Sequence, residues 1–417
     1  MKYVLHYECT LCHQVIGRDS TLLTCPSCGE KGILDVLYDY EALKKVMEKA
    51  YFIHNHQYSM WRYLPLMSVE DTYVKDSLKV GWTPLYASNQ LIKQIPVKSL
   101  YFKDEGVNPT ASLKDRASAV AVLKALECGQ KVISCSSTGN AASSLAGNAA
   151  RMGLKTVIFV PKRTPIGKLT QLQLFGATVI TVDGDYKDAF QLSKDAIRHY
   201  GWYNRNAAIN PHLVEGKKTV AYEIAEQLNF TPTDWVAVSV GDGCTVAGVY
   251  KGFADFYQLG LIPFIPKILG VQSDGCAPFV EAYREHRELR ETEENTIADS
   301  IAVGIPRNPI KAQLAIEKSN GTWIAVSDQE ILKSMALLGS SEGIFGEPAG
   351  VTSLAGVINA VSQGIIKKSE SVTVIVTGNG LKDIVNASKA VSKPVCLKPN
   401  LDELIPYITK EKIEDKI

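Results

Sequence analysis

The chain has 417 residues, 46% hydrophobic and 21% charged, the balance of a globular protein with a full core and room for two or three domains. A formal net charge of +1, from 45 basic and 44 acidic side chains, carries no electrostatic footprint of a nucleic-acid or membrane-surface binder. No apolar run reaches bilayer length and no signal pattern opens the chain, so the expected place is the cytoplasm, with nine cysteines as thiols or metal ligands.

In chain order the first feature is Cys9-x-x-Cys12, followed by Cys25-Pro26-Ser27-Cys28-Gly29. Two such knuckles a short hairpin apart are the arrangement of a zinc ribbon, each giving two thiolates to one tetrahedral Zn2+. Four sulfur ligands (Cys9, Cys12, Cys25, Cys28) close the coordination, so the expected role is structural. The alternative is four unligated thiols in a polar segment. Cys128, Cys135, Cys276 and Cys396 are scattered and read as small residues of no special role, most in apolar surroundings. Residues 38–80 read as a helical connector rich in aromatic side chains.

The next segment runs Asn108-Pro109-Thr110-Ala111-Ser112-Leu113-Lys114-Asp115-Arg116 and continues into a nearly unbroken apolar stretch. It puts Lys114 on the first turn of a helix, with Pro109 setting the entry and Thr110 or Ser112 able to cap it. Such a lysine is either part of a solvated surface turn or an amine at the edge of a core. In the second case desolvation and nearby Arg116 lower its pKa, as a Schiff-base nucleophile requires.

From Trp82 onward strands and helices alternate. Strands are expected at 131–135, 155–160 and 177–182, with helices at 140–152, 168–175 and 189–200; the pattern resumes at 235, 266–271 and 371–376. Short βα repeats of this kind mean parallel sheets with helices on both faces. Residues 281–295 are a dense run of charge, read as a solvated helix or loop. Ligands bind in loops after strand C-termini in such folds, and three of these loops are small and polar. The first, Ser136-Ser137-Thr138-Gly139-Asn140, opens a small-residue helix whose free N–H groups can take a carboxylate, or is an ordinary N-cap. The second, Gly241-Asp242-Gly243-Cys244-Thr245, lacks the Lys-Ser/Thr ending of a nucleotide P-loop and the third glycine of a dinucleotide fingerprint. It is a phosphate cradle of another kind, or a plain strand-to-helix turn. The third, Thr377-Gly378-Asn379-Gly380, ends an apolar strand on a hydroxyl.

The lysine segment, Ser-Ser-Thr-Gly-Asn, Asn210-Pro211-His212, Glu215-Gly216-Lys217-Lys218-Thr219, Glu347-Pro348-Ala349 and Thr377-Gly378-Asn379-Gly380-Leu381-Lys382-Asp383 together resemble threonine synthase. That family belongs to the pyridoxal-phosphate enzymes related to the tryptophan synthase β-subunit. The resemblance runs from about Trp82 to Ala390, and long members carry an N-terminal cysteine ribbon. It implies an α/β fold of two doubly wound open-sheet domains with the coenzyme between them, plus the small ribbon. On this reading residues 1–36 are the ribbon and 37–80 the connector. Residues 81–130 and 226–395 form the larger domain, 131–225 a smaller mobile one, and 396–417 a tail.

By the resemblance, Lys114 bonds covalently to pyridoxal 5'-phosphate and later moves protons. Asn140 meets the coenzyme's 3'-oxygen; Gly241, Asp242, Gly243, Cys244 and Thr245 cradle its phosphate; Thr377 meets its pyridine nitrogen. Ser137, Thr138, Lys168 and Asn210 are the expected substrate contacts. The implied reaction turns O-phospho-L-homoserine and water into L-threonine and phosphate, in a homodimer. Three departures bear on the substrate: Leu213 where many members have arginine, Ala207-Ala208 where a polar pair is usual, and a cradle without asparagine. Lys168, Arg205, Lys217 or Lys218 could supply the missing cation, Lys168 being the best placed, after a Pro-x-Gly turn at a helix start, although each is by default an exposed charge. The alternative is β-replacement or dehydration on serine, threonine or an O-activated serine.

Overall fold

The structure, a computed structural model, describes residues 1–164 and 166–411. Runs of β-branched residues with no polar face form strands buried on both sides, and Trp235–Ser239 is buried at every position. Such strands build two parallel sheets. The smaller has the order Tyr203–Asn204, Val132–Ser136, Lys155–Pro161, Thr178–Val182, every pairing parallel. The larger has the order Thr322–Val326, Lys267–Ser273, Trp235–Ser239, Ser371–Val376, Ser99–Asp104, Leu85–Ala87. Its last pair alone is antiparallel. All strands of the smaller sheet fall within 131–225, and those of the larger within 81–130 and 226–395. Three strands of the larger sheet, Leu85–Ala87, Ser99–Asp104 and Thr322–Val326, had not been expected.

Helix Lys114–Glu127 is buried over most of its length, because its side chains are small enough to pack closely on two sides. Ala117, Ala121, Val122 and Ala125 join the core of the smaller sheet, while Ala119, Val120 and Leu123 pack on Met60, Trp61 and Val80 of the connector. The connector is a chain of short helices (Tyr40–Lys44, Lys49–His54 and the 3-10 turns Met60–Leu66 and Val74–Asp76). The charged run is a single helix, Pro278–Arg284, followed by a loop without regular structure as far as Asp299.

The N-terminal unit is a four-stranded antiparallel ribbon, Val15–Gly17, Val4–Cys9, Gly29–Tyr38 and Thr24–Cys25 in spatial order. The long strand Gly29–Tyr38 carries it onto the larger domain: Lys251 and Lys311 both reach the Asp35 carboxylate, at 3.2 and 2.8 Å. Of the expected tail, Leu401–Glu411 is a helix and residues 412–417 lie outside the described region.

Candidate active site

Lys114 is the first residue of its helix, and three backbone contacts fix it there. Leu113 N donates to Thr377 O at 2.9 Å, and Asn379 N donates to Ala111 O at 3.0 Å. Ala111 N closes on Asn108 O at 2.7 Å, which holds Ala111 in the left-handed region at φ +65. That conformation costs an alanine roughly 1–2 kcal/mol, so this turn is maintained by its partners and not by local preference. The expected caps do not form. Thr110 spends its N–H and hydroxyl on the Asp115 carboxylate (2.7 and 2.8 Å), and Ser112 Oγ is buried without a partner. The helix therefore begins one turn later than a Thr110 cap would start it.

Burial pushes the Lys114 amine down to about 8, helped by the cations Lys217 and Arg205 and opposed by Glu347 and Asp242. Desolvation acts as expected, but Arg116 is not the cation involved. Two residues along the helix it points the other way, into a closed cluster. Its guanidinium meets Glu105 at 2.6 Å and Glu223 at 2.6 Å, and Lys103 meets Glu223 at 2.7 Å. All four side chains are fully buried. Glu347, the N-cap of helix Pro348–Ser362, has its carboxyl pushed up to about 7 by burial, against the pull of Lys114 and Lys382.

Around Lys114 the ends of both sheets form one cleft of ≈ 1370 Å³, ample for a coenzyme together with an amino acid. Ser137, Thr138 and Asn140 line it from the smaller sheet; Gly241, Asp242, Gly243, Cys244, Thr245 and Thr377 line it from the larger. Gly243 has φ +86, and a Cβ there would come within 2.7 Å of Asn308 O. Helix Cys244–Gln258 follows with no side-chain cap, so its first N–H groups are available to an anion. Asp242 turns aside: its Oδ1 accepts from Arg307 N at 3.4 Å, and Arg307 Nη1 lies 3.8 Å from its Oδ2. Asn140 Nδ2 donates to Glu347 Oε1 at 2.6 Å.

Asn210 is not brought to the cleft. It donates to Asn204 O and accepts from His212 N, both at 3.0 Å, pinning the turn before helix His212–Lys217. Lys168 reaches the cleft rim and pairs with Asp299; Pro165, in the turn before it, lies outside the described residues. Lys218 is fully buried away from the cleft, 2.6 Å from Glu215 and 2.9 Å from Asp255. Arg205 and Lys217 are buried rather than exposed, and both line the cleft. Leu213 lies in the core of the smaller domain.

Sequence reasoning gave no role to Glu347, although a Glu-Pro pair before an apolar run is a recognisable helix start. It also passed over Arg307, whose guanidinium sits 4.2 Å above the Phe190 ring.

In the ribbon the four sulfurs of Cys9, Cys12, Cys25 and Cys28 lie within 4.8 Å of one another, a donor set suited to one tetrahedral ion. Gly32 sits against them; a Cβ there would be 2.6 Å from the Cβ atoms of Cys25 and Cys28. The next residue, Ile33, packs on Ala208, Val214 and Cys244. One peptide unit thus joins the cysteine cluster to the glycine cradle.

A phosphate-bearing aldehyde coenzyme fits this cleft. It needs a poorly solvated amine, a close-approach backbone turn at an uncapped helix start and a buried hydroxyl, and Lys114, Gly241–Thr245 and Thr377 supply them. The comparisons agree. Residues 77–378 match the family described as pyridoxal-phosphate dependent enzyme. A threonine synthase of Methanocaldococcus jannaschii is 40% identical over 95% of this chain and 98% of its own length. One of Methanosarcina acetivorans is 38% identical over 96% and 97%. Among solved structures, processed threonine deaminase isoform 2 of Solanum lycopersicum superposes with a TM-score of 0.68 at 22% identity, covering 80% of this chain and 92% of that one. Diaminopropionate ammonia lyase of Escherichia coli gives 0.67 at 20%, covering 81% and 93%.

Proposed function

The chain belongs to the pyridoxal-phosphate-dependent enzymes, and from that premise we propose that it converts O-phospho-L-homoserine and water into L-threonine and phosphate. The fold is the tryptophan synthase β-like one and the chain is a threonine synthase-like lyase. The observation that carries the reading is Lys114 itself, a half-buried amine lowered to about 8 that lines one cleft together with the glycine cradle.

When bound, pyridoxal 5'-phosphate supplies an electron sink for carbanions next to the amino-acid nitrogen. The rest is the work of this chain. Lys114 holds the coenzyme and, with a pKa near neutrality, takes and returns protons at the substrate carbons. Glu347 shares its electrostatic environment and orients Asn140, which would meet the coenzyme's 3'-oxygen. The amides after Gly243 would hold the phosphate tail. The neutral Thr377 hydroxyl would meet the pyridine nitrogen without protonating it. Ser137, Thr138 and the amides that follow take the amino-acid carboxylate. In net balance the Cγ–O bond breaks with its electron pair leaving on phosphate, and one proton passes from Cβ to Cγ. The hydroxyl of water adds at Cβ, and the remaining proton goes to phosphate or solvent.

The four cysteines hold one structural Zn2+ on this reading, which also takes in a homodimer from the family resemblance. Among the described residues no helix is long and apolar enough to cross a membrane. The test is an assay of the holoenzyme with O-phospho-L-homoserine, in which threonine and phosphate form in equal amounts. Pyruvate or 2-oxobutyrate from unphosphorylated serine or threonine, with no phosphate released from O-phospho-L-homoserine, would replace the reading by a dehydratase.

A further inference from the structure

Two cations in the cleft form no ion pair among the described residues, although Asp242 and Asp115 act on them from farther off. Arg205 follows strand Tyr203–Asn204 and is 2% exposed; its Nε and Nη2 donate to Ser118 Oγ at 3.2 and 3.0 Å. Lys217 ends helix His212–Lys217 and is 4% exposed. Among the described residues Lys217 has no hydrogen-bond partner, and neither cation has a carboxylate within 4.0 Å. Burial lowers the pKa of both, and the charge of Arg205 lowers that of Lys217 further. Holding two like charges side by side with little water costs free energy that a bound counter-charge would relieve. Both line the cleft, where an anion that entered could supply that counter-charge.

Two anions compete for that assignment, the coenzyme's phosphate and a phosphate on the substrate. The coenzyme's tail already has a receptor in the uncapped start of helix Cys244–Gln258. Arg205 belongs instead to the smaller sheet. It donates its backbone N–H to Ser134 O at 2.9 Å, and the next residue, Asn206, accepts from Ser136 N at 2.9 Å. Those bonds fix Arg205 at the end of the strand that runs on into Ser137 and Thr138, the wall assigned above to the amino acid's carboxylate. Lys217 bridges the two walls: its Cβ presses on Gly248 of the cradle helix, where an added Cβ would come within 2.9 Å of it.

We infer that Arg205, with Lys217 beside it, is the receptor for the phosphate that leaves the substrate. The inference rests on the phosphorylated-substrate reading above. It explains how the cleft accepts a dianion while Leu213 is committed to the core and Ala208 to packing on Ile33. A guanidinium presents two N–H groups to phosphate at once, whereas an ammonium is a point charge, so Arg205 carries most of the recognition.

The test uses wild-type holoenzyme and its Arg205→Met, Arg205→Lys and Lys217→Met variants, each first checked for an unchanged circular dichroism spectrum. Inorganic phosphate binding to the holoenzyme is measured by calorimetry, coenzyme affinity by absorbance titration, and KM with O-phospho-L-homoserine. Arg205→Met is expected to weaken phosphate binding and raise KM roughly a hundredfold, Lys217→Met less. Arg205→Lys should recover part of the loss, and coenzyme affinity should stay within about twofold of wild type in all three. Loss of coenzyme affinity with phosphate binding and KM unchanged would assign the cations to the coenzyme and overturn the inference. If wild type binds phosphate through Arg205 but makes no threonine, the proposed reaction fails and the anion receptor stands. If phosphate binding is the same in all four proteins, the receptor is elsewhere.

Discussion

Two helices pack on each other, and each sends one fully buried cation to a structural cluster and another cation to the cleft. On helix Lys114–Glu127, Arg116 goes to Glu105 and Glu223, whereas Lys114 faces the cleft. At the end of the other, Lys218 goes to Glu215 and Asp255, whereas Lys217 faces the cleft. Residues one or two apart on a helix point in different directions, so neighbours in sequence reach opposite fates. In the structural clusters every charge is answered: burial raises the Glu223 carboxyl, yet Arg116 and Lys103 hold it down to about 2. Burial lowers Lys103 in the cluster as it lowers Lys114, Arg205 and Lys217 in the cleft, so the difference lies in the partners: Lys103 has Glu223 at 2.7 Å, whereas Arg205 and Lys217 have no carboxylate within 4.0 Å among the described residues. The difference teaches how to read a buried charge: when answered within the protein it holds the fold, and when left unanswered it waits for a ligand.

The largest break in this comparison is at Lys114. Lys114→Ala should lower turnover by roughly three orders of magnitude or more, with little change in melting temperature; a stability loss comparable to that of the clusters would make it a structural residue. Next comes the contrast between two arginines. Arg116→Met should cost roughly 3–5 kcal/mol in denaturant unfolding, since it strands buried carboxylates. Arg205→Met should leave the unliganded protein within about 1 kcal/mol of wild type. Equal losses would erase the distinction. Ile33→Ala should weaken coenzyme binding by about tenfold through the cavity it opens against Cys244. Stripping the cysteine cluster with a chelator should move coenzyme affinity the same way; an affinity indifferent to both would break the link from ribbon to cradle.

Proton linkage gives a further prediction. The Lys114 amine has a folded pKa near 8, below its ordinary value of 10.5. The charged form is therefore penalised below about pH 8, and the penalty is relieved as pH rises toward 10.5. The rate at which apoprotein captures pyridoxal 5'-phosphate should climb with pH up to about 8 and then flatten, followed by stopped-flow absorbance. A climb that continued past pH 10 would describe a solvated lysine. The smallest effect is at the rim: Lys168→Ala removes a partly exposed pair with Asp299 and should change stability by no more than about 1 kcal/mol.

Much of this was legible in the sequence because the cleft is built from strand-end loops whose small polar residues stand out against apolar runs. Thr138, Asn140, Gly243 and Thr377 all announce themselves in that way. The charge clusters were not legible, because their partners are far apart in the chain. Lys103 and Glu223 are 120 residues apart, and the 103–104 charges inside Ser99–Asp104 disguise it as a surface segment. The same blindness made Arg205 and Lys217 look like solvated strand and helix ends, and made Arg116 look like a neighbour of Lys114's amine. Asn210 misled for the opposite reason: its side chain is polar, but two backbone groups consume it.

The most direct test is chemical. Holoenzyme treated with sodium borohydride, digested and mapped by mass spectrometry should carry a single pyridoxyl group, on the peptide containing Lys114. A pyridoxyl group on Lys217, Lys382 or any other lysine, or none at all on a protein that holds the coenzyme, would contradict the account at its base.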